Sequence, residues 1–210
     1  MNKKYTGKLI SLEGIDGSGK STLATALAKC ITQEGQTVLL TKEPGGSTLG
    51  IHLRSIVQTS KDNLCAQAEF LLYAADRAQH FQQVVIPALQ DGKIVISDRM
   101  NDSSVAYQGY GRGLDIVMIE TVNAWAMTNI KQNLIFFLDI APQAAMARVL
   151  KRNEQLTRFE QEKLEFWQNV RAGYQEIFKG RPEVATLDGI QPQEVLLEQA
   201  LKIIKECGII

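Results

Sequence analysis

The chain has little cysteine, no excess of either charge and no long apolar run, and each shortage removes a class of protein. Its three cysteines, Cys30, Cys65 and Cys207, are odd in number and none belongs to a CxxC pair. This argues against a disulfide framework and against a thiolate zinc site. They read as buried free thiols of a reducing compartment. Basic and acidic residues balance at 23 each, so no global field attracts nucleic acid nonspecifically, and any anion site must be local. No apolar stretch approaches the roughly 20 residues of a membrane span, and residues 1–7 are polar. A cytoplasmic protein is expected, with neither nucleic acid nor membrane as a partner.

What is present starts from 210 residues, 45% of them hydrophobic, enough to bury a full core as a single domain over 1–210. Near the amino end, Gly14-Ile15-Asp16-Gly17-Ser18-Gly19-Lys20-Ser21 fits G-x-x-x-x-G-K-[ST]. A short apolar run at 9–12 precedes it. Residues 22–34 follow with helical composition, Leu23, Leu27 and Ile31 being four apart. Strand, glycine loop and helix are the order a phosphate-binding loop requires. Glycines let successive N–H groups turn toward a polyphosphate, and the helix points its positive end at the same anion. Gly14 to Thr22 are therefore the expected ATP cradle, with Lys20, on an exposed loop, reaching the terminal phosphates and Ser21 the accompanying magnesium. A loop that merely turns a strand into a helix is the plain alternative; eight agreeing positions and the flanking context weigh against it.

Taken in order, Gly35 suits a helix end and 38–41 a second strand, followed by the breaker cluster Lys42-Glu43-Pro44-Gly45-Gly46. A short helix is expected over 49–58, carrying Arg54. A longer one over 64–81 has Phe70, Tyr73, Arg77 and His80 near one face, and Pro87 interrupts or bounds the next helical segment. Residues 93–98 form a strand closed by Asp98. Residues 99–113 are polar and glycine-rich and are expected to begin as a helix before looping out. Asp115 can cap a helix reaching Trp125. The most apolar strand is 134–140, and Pro142 opens a helix running to about Lys151. Residues 151–160 read as an exposed, mobile segment. Helix returns over 159–178, a fifth strand occupies 184–188, and a helix over 192–206 closes the chain. Alternating short strands and helices predict a three-layer α/β/α sandwich with a five-stranded parallel sheet, of the phosphate-loop NTP hydrolase type. Ligands of such sheets gather beyond the carboxyl ends of the strands, where Lys20, Glu43, Asp98 and Arg99 all emerge.

The phosphate loop alone does not separate a small-molecule kinase from a GTPase or a motor. There is no N-K-x-D guanine-reading motif and no room for an added motor domain. Arginines recur on separate segments, at 54, 77, 99, 148, 152 and 158. Each alone reads as surface charge, whereas together they suit a second phosphorylated substrate facing the first. The sequence resembles the thymidylate kinases over most of its length. The shared stretches are LEGIDGSGKST from Leu12, KEPGGS from Lys42, FLLYAADRAQH from Phe70, SDR followed by SSVAYQGYGRG, and RFEQE from Arg158. Three positions depart from the family pattern: Lys42 and Thr157, which stand for arginine and aspartate, and Met100, where an aromatic is common.

The resemblance implies transfer of a phosphoryl group from ATP to dTMP with magnesium, making dTDP, and a homodimer built through the helices around Phe70 and Trp125. It implies that Asp16 lies near the acceptor 3′-hydroxyl and Glu43 near the acceptor phosphate and metal-bound water. Ser21, Asp98 and Glu43 are then the expected metal side chains. Arg54 and Arg99 would hold the acceptor phosphate. Thymine would stack on Tyr73 and take a hydrogen bond from Arg77, with Ser104 and Gln108 at the base edge and Tyr107 against the sugar. Tyr73 and Tyr107 as core filler, and Asp76 with Arg77 as a helix-surface pair, are the plainer readings.

The phosphate loop itself contains no arginine, so a catalytic cation must come from elsewhere. Arg148 and Arg152 are four apart and would share a helix face. A lid over 148–160 is therefore expected, with Arg148 toward ATP and Arg152, or else Lys151, at the transferring phosphoryl group; a solvated charged loop is the alternative. Lys20, Asp16, Arg99 and Arg152 are the expected catalytic set. Two rivals remain at this level: a kinase of another nucleotide or deoxynucleoside, and a nucleotide-binding regulator without turnover.

Overall fold

A computed structural model of the chain describes residues 5–59, 64–152 and 155–210. Its centre is a sheet of five parallel strands, β1 (Lys8–Glu13), β2 (Val38–Lys42), β3 (Ile94–Asp98), β4 (Leu134–Asp139) and β5 (Val184–Asp188), in the order β2-β3-β1-β4-β5. The three inner strands are buried almost throughout and the two edge strands only partly. This is why the inner strands read as continuous apolar runs: helices cover both faces.

Alternation along the strands sorts their side chains onto the two faces. On one face Ile10, Leu12, Ile96, Phe136 and Leu138 pack against Leu23, Leu27 and Ile31 of α1 (Lys20–Gln33) and Leu196, Ala200 and Ile204 of α9 (Gln193–Glu206). On the other, Leu9 and Val95 meet Phe81, Val85 and Leu89. Beside them Ile135 and Phe137 meet Trp167, Val170 and Tyr174 of α8 (Leu164–Phe178). The expected three-layer α/β/α sandwich with a five-stranded parallel sheet is the observed architecture. The remaining helices are α2 (Thr48–Thr59), α3 (Ala66–His80), α4 (Ile86–Gln90), α5 (Asn101–Ser104), α6 (Ile116–Ala126) and α7 (Pro142–Leu150).

Most boundaries shift from the sequence reading by one or two residues, and four differences are instructive. Lys93 stays outside β3, which begins at Ile94. Pro87 bounds a helical segment without interrupting it: it stands in the first turn of α4, into which α3 passes through a π-helical turn, Phe81–Val85, the Ile86 N–H reaching back five residues to the Phe81 carbonyl. The wider turn lets a proline lacking an N–H follow without ending the helix. The segment after Arg99 does not loop out either, since α5 continues as a second π-helical stretch, Val105–Gly111. Finally, α8 starts at Leu164, five residues later than expected. Thr157 Oγ1 accepts from the Glu160 N–H at 3.3 Å while Glu160 Oε2 accepts from the Thr157 N–H at 2.8 Å. This reciprocal cap closes a local turn, and Phe159 enters the core beside Phe166 and Trp167. Of the expected lid, Asn153 and Glu154 lie outside the described residues.

Candidate active site

Beyond the carboxyl ends of β1, β2 and β3 opens a cleft of about 850 Å³, lined from the phosphate loop, the loop after β2, α2, α3, the segment after β3 and residues 155–160. The phosphate loop forms its floor. Gly14, Gly17 and Gly19 have φ of 139°, 84° and 100°, the region a Cβ disfavours, and a Cβ on Gly17 would strike the Ala145 carbonyl oxygen. Lys20 is buried, not exposed as expected, and its Nζ donates to the Ile15 carbonyl at 2.8 Å. Burial and the charge of Arg99 push it down to about 8, against the pull of Asp98, Asp16 and Glu13. Ser21 Oγ donates to Asp98 Oδ2, which joins the start of α1 to the end of β3. Hydroxyl and carboxylate are hard oxygen donors of the kind magnesium takes alongside substrate phosphates. Among the described residues there is no cluster of three or more His, Cys, Asp or Glu suited to a metal ion.

Arg99 follows β3 with φ 72°, a strained value for a residue with a Cβ, and the strain is held by its neighbours. Its N–H donates to Leu12 O at 2.9 Å, and its own carbonyl accepts from Ser97 Oγ at 2.7 Å. The guanidinium donates to Gly14 O (2.8 Å), Ser103 Oγ (3.1 Å), Tyr174 OH (3.2 Å), Tyr107 OH (2.8 Å) and Asp16. Burial works to raise Asp16, but Arg99 and Lys20 outweigh it and hold that carboxyl below its usual range. Arg99 and Asp16 thus meet at the loop's lip.

Arg77 is placed differently from a surface partner of Asp76. It is 1% exposed, and all five of its N–H groups find acceptors: Glu43 Oε2 (2.8 Å), Asn123 Oδ1 (2.5 Å), Met100 O (3.1 Å) and Ser104 Oγ twice (3.2 and 3.1 Å). No N–H remains to reach a base directly. The second oxygen of Glu43 meets His80 Nδ1 at 3.0 Å. Burial would raise Glu43, yet Arg77 and His80 together hold it low. Its oxygens therefore face these two side chains and not the Ser21–Asp98 pair. Ser104, taking two donors from Arg77, keeps its own O–H to give. Gln108 Nε2 donates to the buried Glu69 at 3.0 Å, which leaves the Gln108 carbonyl oxygen to accept.

Tyr73 lines the cleft with its ring 6.3 Å from that of Phe159. Tyr107 lines it too but is also core, its ring set edge-on to Phe159, Phe166, Trp167 and Tyr174. Arg54 borders the cleft and donates to Pro44 O at 2.8 Å. Met100, a departure from the family pattern, is buried among Leu9, Phe81 and Val95 and also borders the cleft. Arg152 lines the cleft with its side chain 47% exposed and a loose ion pair to Glu160 at 3.5 Å. Arg148 is not among the cleft-lining residues; it donates to the carbonyls of Gly189 (2.7 Å) and Ile190 (3.3 Å) in the loop after β5. Sequence reasoning missed Glu13, His80, Glu69, Ser103 and Tyr174 as members of the site's framework. Local signals existed for Glu13, an acid ending an apolar strand directly before the phosphate loop, for His80, on the helix face of Tyr73 and Arg77, and for Ser103, which opens the SSVAYQGYGRG stretch.

The thymidylate kinase family model matches residues 12–200. The chain is 41% identical over 205 residues to the thymidylate kinase of Halothermothrix orenii, covering 97% of this chain and 99% of that one. It is 42% identical over 197 residues to that of Solidesulfovibrio magneticus, covering 90% and 94%. Among solved structures, a thymidylate kinase from Ehrlichia chaffeensis has a TM-score of 0.77 at 30% identity, covering 95% of this chain and 98% of that one. Because the likeness spans nearly the whole length, and not the widely shared phosphate loop alone, the chain belongs to the thymidylate kinase family.

Proposed function

We propose that the cleft passes a phosphoryl group from ATP on the phosphate loop to dTMP held between Arg99 and the Ser104–Gln108 wall, yielding dTDP. The observation that carries this reading is the meeting of Lys20, Asp16 and Arg99 at one end of a cleft whose other end is lined by Tyr73, Ser104 and Gln108. The base wall suits thymine. A free Ser104 O–H can donate to a ring carbonyl, and the Gln108 carbonyl, turned away from Glu69, can accept the ring N3–H. Tyr107 bounds the sugar.

A phosphate oxygen of dTMP attacks the γ-phosphorus in line, the bond to ADP breaks, and no covalent enzyme intermediate is needed. The protein contributes alignment and cations. Arg99 and Arg54 hold the acceptor phosphate, Lys20 the donor phosphates, and Arg152 reaches the group in transit. Arg148 braces the loop after β5, whose neighbour Gln193 packs against Gly19. It thereby supports the far end of ATP. Ser21 and Asp98 would hold magnesium, which neutralises charge on the ATP phosphates. A coupled assay with dTMP, dUMP, dCMP, AMP and thymidine tests the acceptor; turnover that favours any of the last three over dTMP overturns the reading.

The homodimer belongs to the same proposal. Phe70, first placed at the interface, points inward beside Ala74, Val105 and Ile119. The exposed apolar residues on α3 and α6 are instead Leu71, Val117, Met118 and Trp125. Sedimentation of the parent and of Trp125→Glu tests this face: a parent that sediments as a monomer ends the dimer proposal. Among the described residues no helix is long and apolar enough to cross a membrane.

A further inference from the structure

We infer that Glu13 is a positioning residue that sets Arg99 toward the acceptor phosphate by orienting the hydroxyls of Ser103 and Tyr174. The inference rests on the reading of Arg99 as a holder of that phosphate.

Glu13 ends β1 with no exposed surface, and it is not among the residues lining the cleft. It cannot touch a nucleotide. Its Oε1 accepts from the Met100 N–H at 2.7 Å, which fixes the peptide that follows the left-handed Arg99. Its Oε2 accepts from Ser103 Oγ at 2.6 Å and from Tyr174 OH at 3.0 Å. Above about pH 7, where the titration is carried out, Glu13 is ionised and its carboxylate only accepts, so the hydrogens of both hydroxyls are drawn to its side. The two hydroxyl oxygens are 2.7 Å apart, so one can donate to the other provided the chain of donors ends on Glu13. In either arrangement no hydroxyl hydrogen faces Arg99. Lone pairs face it instead, and Arg99 Nη1 donates to both at 3.1 and 3.2 Å. The carboxylate therefore sets the polarity of a short relay that begins on β1, crosses the segment after β3 and α8, and ends on the guanidinium.

Glu13→Gln keeps the shape and reverses the relay. The Met100 N–H requires the amide oxygen, so the amide nitrogen must take the place opposite the two hydroxyls. They must then accept from it, and at least one hydrogen turns toward Arg99 Nη1, where donor meets donor. The guanidinium is displaced while the phosphate loop and the base wall stay as they are.

The test compares dTMP with thymidine, which differs only by the phosphate, by calorimetric titration without ATP. For the parent, Glu13→Gln and Arg99→Ala, the ratio of the two affinities isolates the phosphate contact. Arg99→Ala should reduce that ratio. Glu13→Gln should reduce it by about tenfold or more, the scale of one hydrogen bond to a charged group, while thymidine and ATP affinities stay within about twofold of the parent. Combining the two changes should reduce it no further than Arg99→Ala alone. If Arg99→Ala leaves the ratio intact, the reading of Arg99 fails and the inference with it. If Arg99→Ala collapses the ratio and Glu13→Gln does not, Glu13 alone is overturned. An equal loss for dTMP, thymidine and ATP would mark Glu13 as structural and would also overturn it. Should Glu13→Gln not fold, Ser103→Ala with Tyr174→Phe removes the same relay. An unchanged ratio in that double variant is the overturning result.

Discussion

The acceptor wall and the lid side of the cleft use the same residue type in opposite ways. Arg77 is enclosed, 1% exposed, with every N–H bonded inside the protein, and Arg99 is nearly so. Arg152 is 47% exposed with one ion pair at 3.5 Å. An enclosed guanidinium is held in place before any substrate arrives, and removing a partner leaves a buried charge unpaired. An exposed one contributes little to stability and surrenders little when it turns to a phosphate. Arg77 is thus part of the fold and Arg99 is fixed in place at the phosphate loop, whereas Arg152 stands open to solvent beside the cleft.

The comparison can be broken by substitution, beginning where the effect is largest. Lys20→Ala should cut turnover by roughly 10³-fold or more while the melting temperature holds, because Lys20 supplies charge at the phosphates and its burial already disfavours that charge. Near-parent turnover would remove the phosphate loop from the chemistry. Arg152→Ala should lower kcat by a comparable factor, roughly 10³-fold, with dTMP binding by calorimetry and thermal stability both unchanged. If kcat stays within a few-fold, the lid cation is another residue and Lys151→Ala is tested next. Arg77→Ala should do the reverse. Its main signature is a stability loss of about 3–5 kcal/mol in denaturant unfolding, since the buried Glu43 carboxylate keeps only its contact with the His80 ring. A fully stable Arg77→Ala variant with raised KM for dTMP would instead assign Arg77 to the base.

The smallest expected effect concerns pH. Burial, then the nearby charge of Asp102, push Glu13 from its ordinary 4.5 up to about 7, against the hydrogen bonds of Ser103 and Tyr174 and the charge of Arg99. A raised folded-state value means the neutral form fits the fold better. The stability tied to this group is complete below about pH 4.5 and is lost as pH rises through about 7. Glu13→Gln does not titrate, so its melting temperature relative to the parent should shift upward as pH rises between those limits, on top of a constant loss from the displaced guanidinium. A difference that stays flat with pH removes Glu13 from the titrating groups.

The fold was legible wherever a local pattern met its ordinary physical cause. Inner strands covered on both faces show as apolar runs, helices show as four-residue spacing, and the phosphate loop shows because its glycines need φ values a side chain opposes. Boundaries were missed where the deciding atoms were distant or subtle. The π-helical turns differ from α-helix by one residue per turn, within which composition barely changes. The start of α8 was decided by the Thr157–Glu160 cap and by Phe159 seeking the aromatic core.

By itself, then, the sequence determined the sheet, the phosphate loop, the arginines and the family, because these are written in contiguous residues whose spacing carries the chemistry. Only the tertiary structure decided what each arginine does. Arg77 is enclosed by Asn123, 46 positions away, and Glu13 reaches Arg99 through Tyr174, 161 positions away. Burial and hydrogen-bond partners at such separations arise when strands and helices pack, and they alone decide how firmly each guanidinium is held before any ligand arrives.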